Sequence, residues 1–161
     1  MTVSEPFDVV VIGARCAGAA TALLLARQGH RVLVLDRAKK GSDTLSTHAL
    51  MRGGVVQLDR WGLLDHIVAA GTPPIRETTF HYGDDAKTLV LKPAGGVDAL
   101  YAPRRTILDQ VLVDAAIAAG AEFRFGVTVT DLDRAAEGRV PCADWNSPVC
   151  SRTAPGNAPF T

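Results

Sequence analysis

Gly13 and Gly18 bracket Ala14, Arg15, Cys16 and Ala17, and one carboxylate, Asp36, follows 23 positions after the first glycine. These residue types at this spacing suit the binding of a dinucleotide. A helix that starts on such a turn offers unpaired N–H groups and the positive end of its dipole to a pyrophosphate, and small residues let the phosphates approach. A carboxylate at the end of the following strand can accept both ribose hydroxyls and would repel a 2′-phosphate, so Asp36 favours FAD or NAD over NADP. The pattern G-x-G-x-x-G is broken by Arg15, which stands where the second glycine keeps side-chain atoms away from the pyrophosphate. Arg15 is accommodated if its side chain turns outward, where the guanidinium can pair with phosphate or with a neighbouring loop. Gly13, Ala14, Arg15, Ala17, Gly18 and Asp36 are therefore the first cofactor-binding candidates.

The elements needed to position these residues can be read on either side of them. Residues 7–12 form a β-branched apolar run expected to be a strand buried on both faces. Residues 19–28 are good helix formers, with Ala20, Leu23 and Leu24 available to face a sheet, and Gly29 supplies the stop. Residues 31–35 form a second apolar strand that ends at Asp36, completing a βαβ unit. A polar loop over 37–47 precedes short helices expected at 51–61 and 63–70, and Thr72-Pro73-Pro74 breaks the chain. Alternation then predicts a β-hairpin over 77–91, turning at Gly83-Asp84-Asp85. A glycine-rich connection at 94–98 leads to a short strand at 100–102. The helix expected at 104–119 carries the stripe Ile107, Leu108, Val111, Leu112 and Ala115. Segments 122–125 and 127–132 are β-rich, so a parallel sheet is expected to resume there. The fold class is α/β, a Rossmann-like parallel sheet with a β-hairpin insertion.

The chain has 161 residues, 47% of them hydrophobic, and its 17 acidic and 17 basic side chains cancel. A globular domain with a real core is expected, and nothing in the charge pattern suggests nucleic acid or an anionic membrane surface as a partner. The N-terminus lacks the basic region of a signal peptide and no apolar stretch approaches a membrane span, so a cytoplasmic location is the default. Cys16, Cys142 and Cys150 form neither a CxxC pair nor a zinc pattern with the four histidines, and no metal site is expected. Cys16 reads as a small buried residue filling the glycine turn. Beyond Gly138 the sequence holds four prolines, two cysteines and a tryptophan without periodicity. Residues 1–139 are thus assigned to the domain, and 140–161 are expected to be a disordered or aberrant tail, with the native domain ending near Val140.

The stretches VVVIGARCAGAATALLLARQGHRVLVLDRA, LSTHAL, WGLLDHIVAAGTPPI and YAPRRTILDQVLVDAAIAAGAEF resemble the N-terminal part of FAD-dependent oxidoreductases. That superfamily includes the aromatic-ring hydroxylases, or group A flavin monooxygenases, and the geranylgeranyl-reductase-like enzymes. The resemblance implies that Gly13, Ala14, Ala17 and Gly18 hold the FAD pyrophosphate, that Asp36 takes the adenosine ribose and that Arg37 borders the adenine. It implies that Arg105, opening an R-x-x-L-x-x-x-L helix with Leu108 and Leu112, reaches the FAD phosphate region, and that Val129 contacts adenine through its backbone. The loop of Ser46, Thr47 and His48 would lie toward the isoalloxazine ring. Strands near 77–102 would begin a substrate domain whose remainder, with the second FAD motif, is missing, and an exposed apolar sheet edge is expected. The implied activity is reduction of FAD by NAD(P)H, then reaction with oxygen and hydroxylation of a small aromatic or isoprenoid substrate. The alternatives are a flavin reductase that saturates a double bond and an inactive FAD-binding fragment. No residue is assigned as an acid or base for the substrate step.

Overall fold

The computed structural model describes residues 7–45 and 49–130. In chain order the elements are β1 (Val9–Ile12), α1 (Cys16–Arg27), β2 (Val32–Asp36), α2 (Arg52–Arg60), α3 (Leu64–Ala69), β3 (Pro74–Ile75), β4 (Glu77–Tyr82), β5 (Asp85–Val90), β6 (Leu100–Tyr101), α4 (Arg105–Ala118) and β7 (Glu122–Phe125). They divide into two units, one of residues 7–42 with 113–130 and the other of residues 43–112.

The first unit is a three-stranded parallel sheet in the order β1-β2-β7. Val9 lies opposite Val32 and Ile12 opposite Leu35, while Leu33 lies opposite Glu122 and Asp36 opposite Phe125. All five residues of β2 are buried, as a central strand flanked on both sides requires. The burial on both faces expected of the first strand does not hold for β1. Among the described residues β1 has β2 as its one strand neighbour, Val9 to Val11 are half-buried, and Ile12 is 57% exposed. α1 buries Ala19, Ala22, Leu23 and Ala26. Leu23 faces inward as expected, but Leu24 is exposed and Ala20 only half-buried, because three-to-four-residue spacing from Ala19 selects the neighbouring stripe. The expected strand over 127–132 is not formed at 127–130; there Val127 N–H donates to the Asp36 carbonyl at 3.0 Å and Gly126 N–H to that of Ala38 at 3.2 Å.

In the second unit β3 pairs with β6, and Leu50 bridges Tyr101. Val55, Val97, Ala99 and Tyr101 form a small core, against which Leu50, Val56 and Leu64 pack. Residues 94–98, read from sequence only as a connection, contribute Val97 to that core and are held by reciprocal backbone bonds between Ala94 and Val97. Arg52 Nη1 reaches the same segment, donating to the carbonyls of Ala94 and Val97 at 3.4 and 3.5 Å. β4 and β5 form the expected hairpin around Gly83 and Asp84, with φ +62° at Gly83. No helix among the described residues is long and apolar enough to cross a membrane. The expectation for the tail at 140–161 lies outside the described residues, as does that for Ser46, Thr47 and His48.

Candidate dinucleotide site

β1, α1 and β2 bring the glycine turn and Asp36 together at the carboxyl ends of the strands, where parallel α/β sheets bind their ligands. Gly13 has φ +101°, a conformation that side chains oppose, and its N–H donates to the Leu35 carbonyl at 2.7 Å. No atom lies within 4 Å of the position a Cβ would take at Gly13, so the turn is open above. Gly18 is constrained in another way. A Cβ there would collide with the Gly13 carbonyl oxygen and stand 3.2 Å from Val11 Cγ1. Gly18 thus lets α1 close onto the end of β1, which is the packing role of the third glycine in such fingerprints.

Asp36 is buried, and both its carboxylate oxygens are fixed by the backbone. Oδ2 accepts from Ala14 N–H at 2.6 Å, and Oδ1 accepts from Ala38 N–H at 2.7 Å. Bonds to an ionised acceptor contribute about 1.5–3 kcal/mol each. They lock the carboxylate across the first peptide after Gly13, and each oxygen keeps a second lone pair for another donor. α1 begins at Cys16 with Arg15 as its N-cap, without a side-chain capping bond and without an acid in the first turn. Ala17 is exposed in that turn, so the helix end presents backbone donors rather than a capped terminus. Cys16 is half-buried.

Of the two partners open to Arg15, the neighbouring loop is the one it meets. Nη1 donates to the Ser42 carbonyl at 2.7 Å and Nη2 to Ser42 Oγ at 3.0 Å, so the side chain turns away from the turn it interrupts. The sequence showed that a loop partner was possible but did not single out Ser42. Arg37 is exposed just beyond Asp36. Val129 is half-buried in an irregular segment of the first unit rather than in a strand.

Arg105 belongs to the second unit and opens α4. Its guanidinium grips Asp109 one helical turn on, with Nη2 3.0 Å from Oδ1 and 3.2 Å from Oδ2, and Asp109 is buried. Arg104 pairs with Asp43 at 2.7 Å and is more exposed. An open cleft of about 500 Å³ is lined by Asp43, Thr44, Leu45, Arg104 and Arg105. Asp109 was missed in the sequence although the i,i+4 spacing from Arg105 is a recognised pairing signal.

An open glycine turn, an uncapped helix start and a backbone-locked acid at the end of β2 are an arrangement that suits a dinucleotide in an α/β fold. The chain belongs to the FAD binding domain family, whose sequence profile matches residues 6–142. It is 37% identical to the monooxygenase cfoF of Aspergillus candidus over 156 residues, covering 84% of this chain and 37% of that protein. It is 34% identical to the kynurenine 3-monooxygenase of Salinispora arenicola over 134 residues, covering 78% of this chain and 29% of that protein. Among solved structures, the myxobacterial chondrochloren halogenase CndH, described as a variant of FAD-dependent halogenases, superposes with a TM-score of 0.69 at 26% identity. That match covers 83% of this chain and 32% of CndH. The chain spans well under half the length of the relatives it matches.

Proposed function

We propose that this chain is the FAD-binding part of an NAD(P)H-dependent flavin monooxygenase that hydroxylates a small organic molecule in the cytoplasm. The observation that carries the reading is the Asp36 carboxylate held by Ala14 N–H beside an open glycine turn. Similarity to monooxygenases over most of the chain supports the reaction class.

The residues present fit FAD. The exposed first turn of α1, with Ala17 and Gly18, would hold the pyrophosphate, with Gly13 and Ala14 keeping the approach clear. Asp36 would take the ribose hydroxyls on its remaining lone pairs, and its negative charge disfavours a 2′-phosphate there. Arg37 would border the adenine, Val129 would meet it through its backbone, and Arg105 would serve the phosphate region. Arg15, tied to Ser42, keeps its bulk off the phosphates and braces the loop after β2. Bound FAD would supply electron transfer from NAD(P)H and the activation of oxygen, while the chain's own residues bind and orient the cofactor.

The test is the visible spectrum of purified protein incubated with excess FAD and then desalted. Flavin bands at near-equimolar occupancy are expected, and a colourless protein would overturn the reading for this chain. With flavin retained, NAD(P)H oxidation coupled to oxygen uptake and hydroxylated product is expected across a panel of aromatic and isoprenoid compounds. NAD(P)H oxidation that saturates a double bond without consuming oxygen would instead identify a reductase.

A further inference from the structure

On the reading that the glycine turn and Asp36 bind FAD, on which this inference rests, we propose that Arg15 is a positioning residue for the adenosine end of the cofactor. By clasping Ser42 it sets the path of residues 37–42, so restoring the fingerprint glycine at this position weakens binding. Every residue involved lies in the first unit. The backbone does not require glycine here: Arg15 is the N-cap of α1 with φ −80° and ψ −176°, extended backbone that any residue adopts. The second glycine of the fingerprint keeps side-chain atoms off the pyrophosphate, and Arg15 meets that need by carrying its guanidinium to Ser42.

The clasp is a fork across 27 positions of sequence. Nη1 donates to the Ser42 carbonyl at 2.7 Å and Nη2 to Ser42 Oγ at 3.0 Å. A planar guanidinium holds both acceptors at once, which the single ammonium of a lysine does not reproduce. The shorter bond goes to the main chain, so Arg15 fixes the course of the loop as well as one side chain.

The loop matters because it begins at the carboxylate that would take the ribose. Ala38 N–H donates to Asp36 Oδ1 at 2.7 Å, and the Ala38 carbonyl accepts from Gly126 N–H at 3.2 Å, so backbone groups pin the start of the loop. Lys39, Lys40 and Gly41 are exposed, in a turn with φ +74° at Gly41 and a 3.2 Å bond from Ser42 N–H to the Lys39 carbonyl. Arg15 holds the far end. The other Asp36 oxygen accepts from the N–H of Ala14, one residue before Arg15. Turn, carboxylate and loop thus form a closed circuit of bonds that returns to the turn through the Arg15 guanidinium. Without that last link the loop must be ordered afresh at each binding event, and the lost conformational entropy lowers affinity.

The test is the Kd of the full chain for FAD, from quenching of its fluorescence, and for ADP, from displacement of FAD. R15G and R15A should weaken both ligands equally, since ADP carries the adenosine end, and by about tenfold, the size expected for losing a charged hydrogen bond. R15K and S42A should each be about threefold weaker than wild type, and R15A/S42A should bind no worse than R15A, because the two side chains act through one contact. In the free protein, trypsin should cut after Lys39 and Lys40 several times faster in R15A, with its other sites unaffected. Four results would each overturn the proposal: R15G binding FAD as tightly as wild type, R15K matching wild type as a through-space charge effect would, a further loss on adding S42A to R15A, or unchanged cleavage of the loop. If R15G and R15A fail to fold, R15K and S42A decide the matter. A wild-type chain that binds neither FAD nor ADP would overturn the reading of the site itself and the proposal with it, whereas binding by wild type with R15G unimpaired removes the proposal alone.

Discussion

Gly18 and Asp36 do different work at one turn. Asp36 organises polar groups, whereas Gly18 is a matter of space, since a methyl there meets the Gly13 carbonyl. We expect G18A to destabilise the protein by about 1–3 kcal/mol, the usual range for overpacking a site that cannot relax. A fall in urea midpoint at unchanged slope would register it, and an unchanged midpoint would refute the close approach of α1 to β1. Thr72 presents the opposite case. Its hydroxyl is buried and meets no hydrogen-bond partner among the described residues. Valine has the same shape without the polar atom, so T72V should stabilise by about 1 kcal/mol. A destabilised T72V in the same melt would mean that the hydroxyl has a partner after all.

At the scale of elements, β1, α1 and β2 were legible because each is set by local signals: β-branched runs, alanine and leucine between two glycines, and an acid at the strand end. The hairpin was legible from alternation about Gly83. Burial was less so, because it depends on which strands lie alongside. The apolar runs of β1 and β2 look alike, yet β2 lies between neighbours and Ile12 of β1 is exposed. The strand expected over 127–132 is absent at 127–130 for a related reason: its residues suit a strand, but the backbone of Val127 is bonded to Asp36 in an irregular segment. Partners distant in sequence, such as Ser42 for Arg15, leave no periodic trace. α2 adds a local anomaly, since Gly53 lies inside it and no atom stands within 4 Å of where its Cβ would be. G53A should therefore stabilise by about 0.4–1 kcal/mol, chiefly by restricting the unfolded chain. Thermal melts of the two proteins would check it, and a lower transition for G53A would mean that the helix start needs glycine.

For the whole molecule, the two units carry separate cores, one around the buried residues of β2 and α1 and the other around Val55, Val97 and Tyr101. A ligand that binds only the folded state stabilises what it binds by RT ln(1 + [L]/Kd), about 2.7 kcal/mol at 100 times Kd. Amides of β1, α1 and β2 that exchange only when their unit unfolds should then slow about 100-fold on saturation with FAD, by the same relation. The hairpin of β4 and β5 has almost no buried side chain, so its amides should exchange through local opening and respond little. D36A should remove most of the slowing while leaving the hairpin unchanged. Hydrogen exchange read by mass spectrometry separates the outcomes. Slowing in peptides from 8–38 that D36A abolishes would locate the adenosine end of FAD at Asp36, whereas equal slowing in D36A would move the nucleotide away from this carboxylate.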